Sequence, residues 1–204
     1  MQVMDALFDH DTSLMLRAKA GHLQDFEELL ARHRKRLIHW LYRVVQDRAV
    51  AEELAQEVFL RVYLSRETYE PSAKFTTWLY RIANNRALNW LRDHGAEQKQ
   101  QSLEETDLRG IKRQIADEGS NVAAWLLEQE AENEFQRSVR RAVAALPPRQ
   151  RTAVLMHKFE GLDYAQIADS MGCPVSTVKS VLWRAYETLR IRLAPVAERG
   201  GWIC

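Results

Sequence analysis

The sequence is poor in the residues that most small architectures depend on. It holds two cysteines, Cys173 and Cys204, too few for a disulfide framework and without metal-ligand spacing. Both are expected to be reduced thiols. Glycine and proline are scarce, at 8 and 5, which argues against short strands joined by tight turns and for a mostly helical chain. No apolar run is long enough to span a bilayer, and the opening MQVMDALFDHD is acidic where a signal peptide is basic. A cytoplasmic chain that does not itself span a membrane is expected. No phosphate-binding glycine loop or nucleophile motif occurs. Asp9, His10 and Asp11 are metal-type ligands in a row, but they fall in an expected N-terminal tail ahead of a Thr12/Ser13 helix cap. His22, His33 and His39 lack zinc spacing. The expectation is therefore no enzyme, no metal, no cofactor and no small-molecule substrate.

An excess of charge of one sign is missing too. The formal net charge is +1, yet it conceals a local division. Residues 149–192 carry seven basic and four acidic residues, whereas residues 96–134 carry four basic and ten acidic. A basic C-terminal module behind an acidic connector is the reading. Helical periodicity runs from Thr12 to about Asp93, lapses in the polar stretch EQKQQSLEETDLRG, and returns from Phe135 to Leu193. The boundaries are set at 1–95, 96–131, 132–196 and a tail at 197–204. The fold class is all-α: two helical domains joined by a flexible acidic linker, whose later part, Val122–Glu134, is able to start the next helix.

The stretch GLDYAQIADSMGCPVSTVKSVLWRAYETLR carries the strongest local signal. Gly161 ends one helix, and Asp163 caps the next while Gln166 reaches back, a capping-box variant. Gly172 permits a left-handed residue at that helix's end, and Pro174 suits the first turn of another. A short helix, a tight turn and a second helix follow. Val178, Leu182, Ala185 and Leu189 form the inward stripe of the second helix. Its opposite face presents Ser176, Thr177, Lys179, Ser180, Trp183 and Arg184, short hydroxyls followed by donors for phosphates and base edges, as a major-groove reader requires. An ordinary helical hairpin with a solvated polar face shows the same pattern.

In the N-terminal half, AVAEELAQEVFLRVYLS places Val50, Leu54, Val58 and Val62 on one stripe, with Glu53, Gln56, Glu57 and Arg61 toward another face. The next stretch, SRETYEPSAKFTTWLYRIANNRALNWLRDH, leads from a loop holding Tyr69 into a helix beginning near Phe75. Leu79, Ile82 and Ala83 supply its core contact. Asn84, Asn85 and Asn89 are locally unfavourable in a helix, because Asn competes with the backbone for hydrogen bonds. Asn85 and Asn89 share a face, with Arg81 one turn earlier. Amides and guanidinium groups beside aromatics suit single-stranded DNA. Trp78 and Trp90 fit core and DNA roles equally, while Tyr69, in a loop, is expected to be functional.

These segments resemble a known family. LPPRQRTAVLMHKFEGLDYAQIADSMGCPVSTVKSVLWRAYETLR is similar to region 4 of the extracytoplasmic-function sigma factors, which reads the −35 promoter element and docks on the RNA polymerase flap. AVAEELAQEVFLRVYLS resembles region 2.2, which grips the polymerase clamp helices. FTTWLYRIANNRALNWLR resembles the −10 recognition and melting helix. The resemblance implies that Ser176, Thr177, Lys179, Ser180, Trp183 and Arg184 face the −35 element, with Arg149 and Tyr164 on the backbone. It implies that Tyr69, Lys74, Thr77, Tyr80, Arg81, Asn84, Asn85 and Asn89 serve the −10 element, and that Glu53, Gln56, Glu57 and Arg61 meet polymerase. The implied partners are core RNA polymerase, promoter DNA and an anti-sigma factor. One departure stands out: Val181 sits where many relatives carry a basic residue. A stand-alone helix-turn-helix regulator leaves the Asn/aromatic helix unexplained. A protein-binding adaptor predicts no salt-dependent affinity for DNA.

Overall fold

A computed structural model describes the backbone of residues 9–104 and 134–199, with side chains over 9–94 and 135–197. All regular structure among these residues is helical. The expected helix start at Val122–Glu134 falls outside the described residues except for Glu134 itself. Most of the acidic connector and the tail beyond Arg199 also lie outside them.

The first module contains α1 (His10–Lys19), α2 (Leu23–Val45), α3 (Arg48–Leu64), a 3-10 turn at Arg66–Thr68 and α4 (Phe75–Glu104). Local chemistry sets its joints. Asp9 caps α1, its carboxylate accepting the Thr12 N–H at 3.1 Å. Gln46 closes α2 in the left-handed region at φ 64°, and Asp47 at once caps α3 by accepting the Val50 N–H at 3.0 Å. The long helices thereby reverse direction across two residues. α2 buries Leu29, His33, Leu37, Trp40, Leu41 and Val44 at helical spacing. On α3 the expected stripe holds at Leu54, Val58 and Val62, while Val50 is partly buried against the core. α4 continues to Glu104, past the expected boundary near residue 95. The residues after Gly95 are good helix formers, which permits the extension.

The second module contains α5 (Glu134–Ala144), α6 (Pro148–Lys158), α7 (Tyr164–Met171) and α8 (Val175–Arg199). Pro148 opens α6, where its missing N–H costs nothing. The capping box of α7 is reciprocal: the Gln166 N–H donates to Asp163 Oδ1 at 2.8 Å, and the Asp163 N–H to Gln166 Oε1 at 2.9 Å. Gly172 then turns left-handed at φ 59° and ψ 42°, a conformation that a side chain would strain. α8 runs past Leu193 and through Pro195. Its inward stripe is Val178, Leu182 and Ala185, all buried, with Leu189 partly buried beside them.

Two expectations about the first module change. Asp9, His10 and Asp11 do not form a tail. Asp9 is the α1 cap, Asp11 accepts from Arg32 at 2.9 Å and meets His33 at 2.8 Å, and His10 meets Glu28 at 3.1 Å. His10 and Asp11 thus tie α1 to α2 by charge-assisted hydrogen bonds, while Asp9 holds the start of α1. Among the described residues no three His, Cys, Asp or Glu side chains converge as metal ligands. Tyr69 is likewise not presented by its loop. Its ring is 2% exposed and packs between Phe75 and Trp78, with centroids 6.5 and 4.9 Å away. Lys19 fixes the turn by donating to the Tyr69 carbonyl at 2.8 Å. Burial raises the Tyr69 phenol pKa above its ordinary value, with a further push from the Asp9 carboxylate that the nearby Thr12 hydroxyl opposes.

Candidate nucleic-acid interface

The exposed face of α8 is built by its own buried stripe. With Val178, Leu182 and Ala185 turned inward, the 3.6-residue period leaves Ser176, Lys179, Ser180, Trp183 and Arg184 in solvent and Thr177 half-exposed. Trp183 is 67% exposed, a large apolar ring left uncovered on a basic surface. Arg149 at the start of α6 and Tyr164 at the start of α7 are exposed nearby in the same module. Arg149, Lys179 and Arg184 make no ion pair among the described residues. Cations held without a protein partner are suited to phosphate oxygens or base edges.

Behind this face, the Tyr186 hydroxyl lies 2.9 Å from His157 Nδ1, and the His157 ring lies 5.3 Å from that of Tyr164. Burial first, then the Lys158 charge, lowers the His157 imidazole pKa below its ordinary 6.5. A neutral ring is thereby kept where it can accept from the phenol.

α4 divides its candidate residues between two stripes. Arg81, Asn85 and Asn89 recur at steps of four and stand exposed, with Lys74 exposed just before the helix. Thr77, Tyr80 and Asn84 form the adjacent stripe and are 2%, 2% and 1% exposed. The second module covers them. The Tyr80 hydroxyl donates to Glu160, and Arg36 reaches the same carboxylate with its Nε at 2.5 Å. Asn84 Nδ2 faces the Ser170 carbonyl at 3.5 Å, and Ser170 Oγ donates to the Thr77 carbonyl at 3.1 Å. Burial, followed by the Glu160 carboxylate, raises the Tyr80 phenol pKa strongly. The family resemblance assigns both groups to the −10 element; here the two are separated. Trp78 and Trp90 are both half-buried, and Trp90 stacks on His94 with centroids 4.8 Å apart.

On α3, Glu53, Gln56 and Arg61 are exposed as their spacing implies. Glu57 is half-buried and paired with Arg86 of α4, so its carboxylate also braces the two helices. Alongside runs a largely apolar groove of about 410 Å³ between α2 and α3, lined by Phe26, Leu30, Ile38, Phe59, Leu60 and Tyr63. Leu60 and Leu64 are 58% and 66% exposed. Sequence reasoning missed this groove because its residues fit the ordinary apolar face of a helix pair. Leu60 and Leu64, apolar yet off the Leu54–Val58–Val62 stripe, were the available signal.

Two helical modules, one ending in a helix-turn-helix with an unpaired basic row on its second helix, define a two-module DNA-binding protein. Residues 29–97 match the model of Sigma-70 region 2, and residues 136–189 that of Sigma-70, region 4. The RNA polymerase sigma-H factor of Pseudomonas aeruginosa is 31% identical over 190 residues, covering 92% of this chain and 96% of that protein. The ECF RNA polymerase sigma-E factor of Haemophilus influenzae is 30% identical over 188 residues, covering 91% and 96%. The chain belongs to the sigma-70 family of RNA polymerase sigma factors, in its ECF group. Two solved structures share the fold. RpoE of Bartonella quintana, in complex with the anti-sigma factor NepR, has a TM-score of 0.60 at 22% identity, covering 84% of this chain and 98% of that one. CnrH, in complex with the cytosolic domain of CnrY, has a TM-score of 0.63 at 20% identity, covering 92% and 99%.

Proposed function

We propose that this sigma factor divides promoter recognition between its two modules. The observation that carries the reading is the pair of polar rows set on separate helices: Ser176, Lys179, Ser180, Trp183 and Arg184 on α8, and Arg81, Asn85 and Asn89 on α4, all exposed. The α8 row enters the major groove at the −35 element. Thr177 stands at the helix entrance, and Arg149 and Tyr164 touch the backbone. Val181 is half-buried against the core, so it adds no phosphate or base contact.

The α4 row, with Lys74, engages the −10 element as it opens. Breaking a base-pair step costs about 1.4 kcal/mol on average, and stacking a freed base on an aromatic ring returns about 1–3 kcal/mol. A few captured bases therefore offset a few broken steps, and the half-buried Trp78 and Trp90 are the rings of α4 left partly open to take them. Asn85 and Asn89 offer amides to the edge of an extruded base, and Arg81 and Lys74 offer charge to the strand.

Glu53, Gln56, Glu57 and Arg61, with the leucine-edged groove beside them, form the polymerase surface. Charged residues steer and orient, while Leu60 and Leu64 supply apolar area to bury. The chain acts without catalysis or a cofactor, in the cytoplasm. An anti-sigma factor is its expected regulator; RpoE of Bartonella quintana is seen in complex with the anti-sigma factor NepR. Among the described residues no helix is long and apolar enough to cross a membrane. Transcripts made in vitro by core polymerase with and without the chain test the proposal. Defined 5′ ends that appear only when the chain is added support it; an unchanged set of 5′ ends overturns it.

A further inference from the structure

At the edge of the α8 row lies a cluster that the −35 reading uses only in part, through Tyr164. Tyr186 comes seven residues after Lys179 and three after Trp183, so it shares their side of α8, though half-buried. Its hydroxyl sits 2.9 Å from His157 Nδ1, near the end of α6. The His157 ring is 6.4 Å from that of Tyr186 and 5.3 Å from that of Tyr164, the first residue of α7. Lys158 Nζ lies 5.8 Å from the centre of the Tyr186 ring. Three helices thus bring an imidazole, two phenols and an ammonium together.

The acids next to these residues are engaged elsewhere. Asp163, beside Tyr164, accepts the Gln166 N–H as the α7 cap, and Glu187, beside Tyr186, pairs with Arg190 at 2.9 Å. Burial and the Lys158 charge both disfavour an imidazolium at His157. A neutral His157 takes the Tyr186 O–H, which leaves that phenol with nothing to donate outward. A protonated His157 donates from Nδ1 instead, and the O–H is freed for another acceptor. The same protonation sets an imidazolium beside the Lys158 ammonium, a repulsion relieved by an anion that meets both. A DNA phosphate is such an anion, and its oxygens accept from a phenol as well.

We propose that Tyr186 is a further phosphate contact of the −35 module, with His157 as its positioning residue. Duplex DNA binds best to the state in which His157 is protonated and Tyr186 donates outward. The inference rests on the −35 role proposed for α8 and deepens it: duplex binding takes up a proton. By reciprocity, a proton that DNA draws onto the protein draws DNA in turn, so duplex affinity rises as pH falls. The rise spans the interval between the pKa of His157 in the free chain and its higher value beside phosphate.

The test uses the full chain and a fluorescein-labelled duplex of random sequence, with anisotropy read from pH 8 to pH 6 at fixed salt. Circular dichroism at each pH verifies that the chain is folded. Wild-type affinity is expected to rise about fivefold over this range, a shift of somewhat less than one pKa unit in the linked group. Calorimetry in two buffers of different ionisation enthalpy is expected to show net proton uptake on binding. His157→Gln is expected to lose both the rise and the uptake, and Tyr186→Phe to shrink the rise. His157→Arg, charged throughout, is expected to hold a pH-independent affinity. A wild type whose affinity ignores pH, or an undiminished rise in either His157→Gln or Tyr186→Phe, overturns the inference. Salt dependence separates it from the reading beneath: duplex binding that weakens with salt yet ignores pH overturns this inference alone. A chain with no salt-dependent duplex binding overturns the −35 reading and this inference with it.

Discussion

Asn84 and Asn85 are adjacent in the chain yet meet different surroundings: Asn84 is buried against Ser170 of the second module, and Asn85 stands in solvent one turn before Asn89. The 100° step of a helix separates them. Their substitutions should therefore separate as well.

Replacing Asn85 and Asn89 together with Ala should abolish open-complex formation while leaving polymerase binding intact. The folded chain should lose no stability, because exposed Asn is a poorer helix former than Ala by a few tenths of a kcal/mol. Asn84→Ala should behave differently and loosen the seam between modules. Thermal unfolding and polymerase pull-down check both statements. A double variant that unfolds earlier would mean that Asn85 and Asn89 hold the structure together.

Arg184→Ala should cost about 1–3 kcal/mol of promoter affinity if the guanidinium grips a base edge. If it meets only phosphate, the loss is smaller and the slope of log affinity against log salt falls by about one. Salt-dependent binding of a −35 duplex to the holoenzyme tells these apart. An unchanged footprint over the −35 region would show that α8 points elsewhere.

Asp163→Ala removes one half of the reciprocal cap at the start of α7. The cost should be about 1 kcal/mol, a usual value for a lost N-cap. Urea unfolding measures it. No change in midpoint would mean that water replaces the carboxylate at the Gln166 N–H.

His157 has a folded pKa below its ordinary 6.5, so the unfolded chain takes up its proton first as pH falls. The resulting stability is present above about 6.5 and is lost as pH drops from there toward the lower folded value. His157→Gln should flatten that part of the pH profile of thermal unfolding relative to wild type. Identical profiles would contradict the assignment.

Legibility in the sequence followed the range of the interaction. The Asp163–Gln166 box, the left-handed Gly172 and the buried Val178–Leu182–Ala185 stripe depend on residues a few positions apart, and each stands where the spacing put it. The burial of Tyr69 was not legible, because besides Phe75 and Trp78 it depends on a turn held by Lys19, fifty positions away. Asp11 was misread for the same reason, since Arg32 and His33 lie on the next helix. The seam on α4 was invisible because Glu160 and Ser170 reach it across the whole connector. The polar row Arg81, Asn85 and Asn89 was legible because it breaks a local rule: a helix gains nothing of its own from asparagines in its interior.

Permanganate oxidation of unpaired thymines on promoter DNA, with core polymerase alone, with the wild-type chain and with the Asn85→Ala/Asn89→Ala variant, tests the division of labour most directly. The account predicts reactive thymines in the −10 region with the wild type and none in the other two samples. Equal reactivity in all three would contradict it.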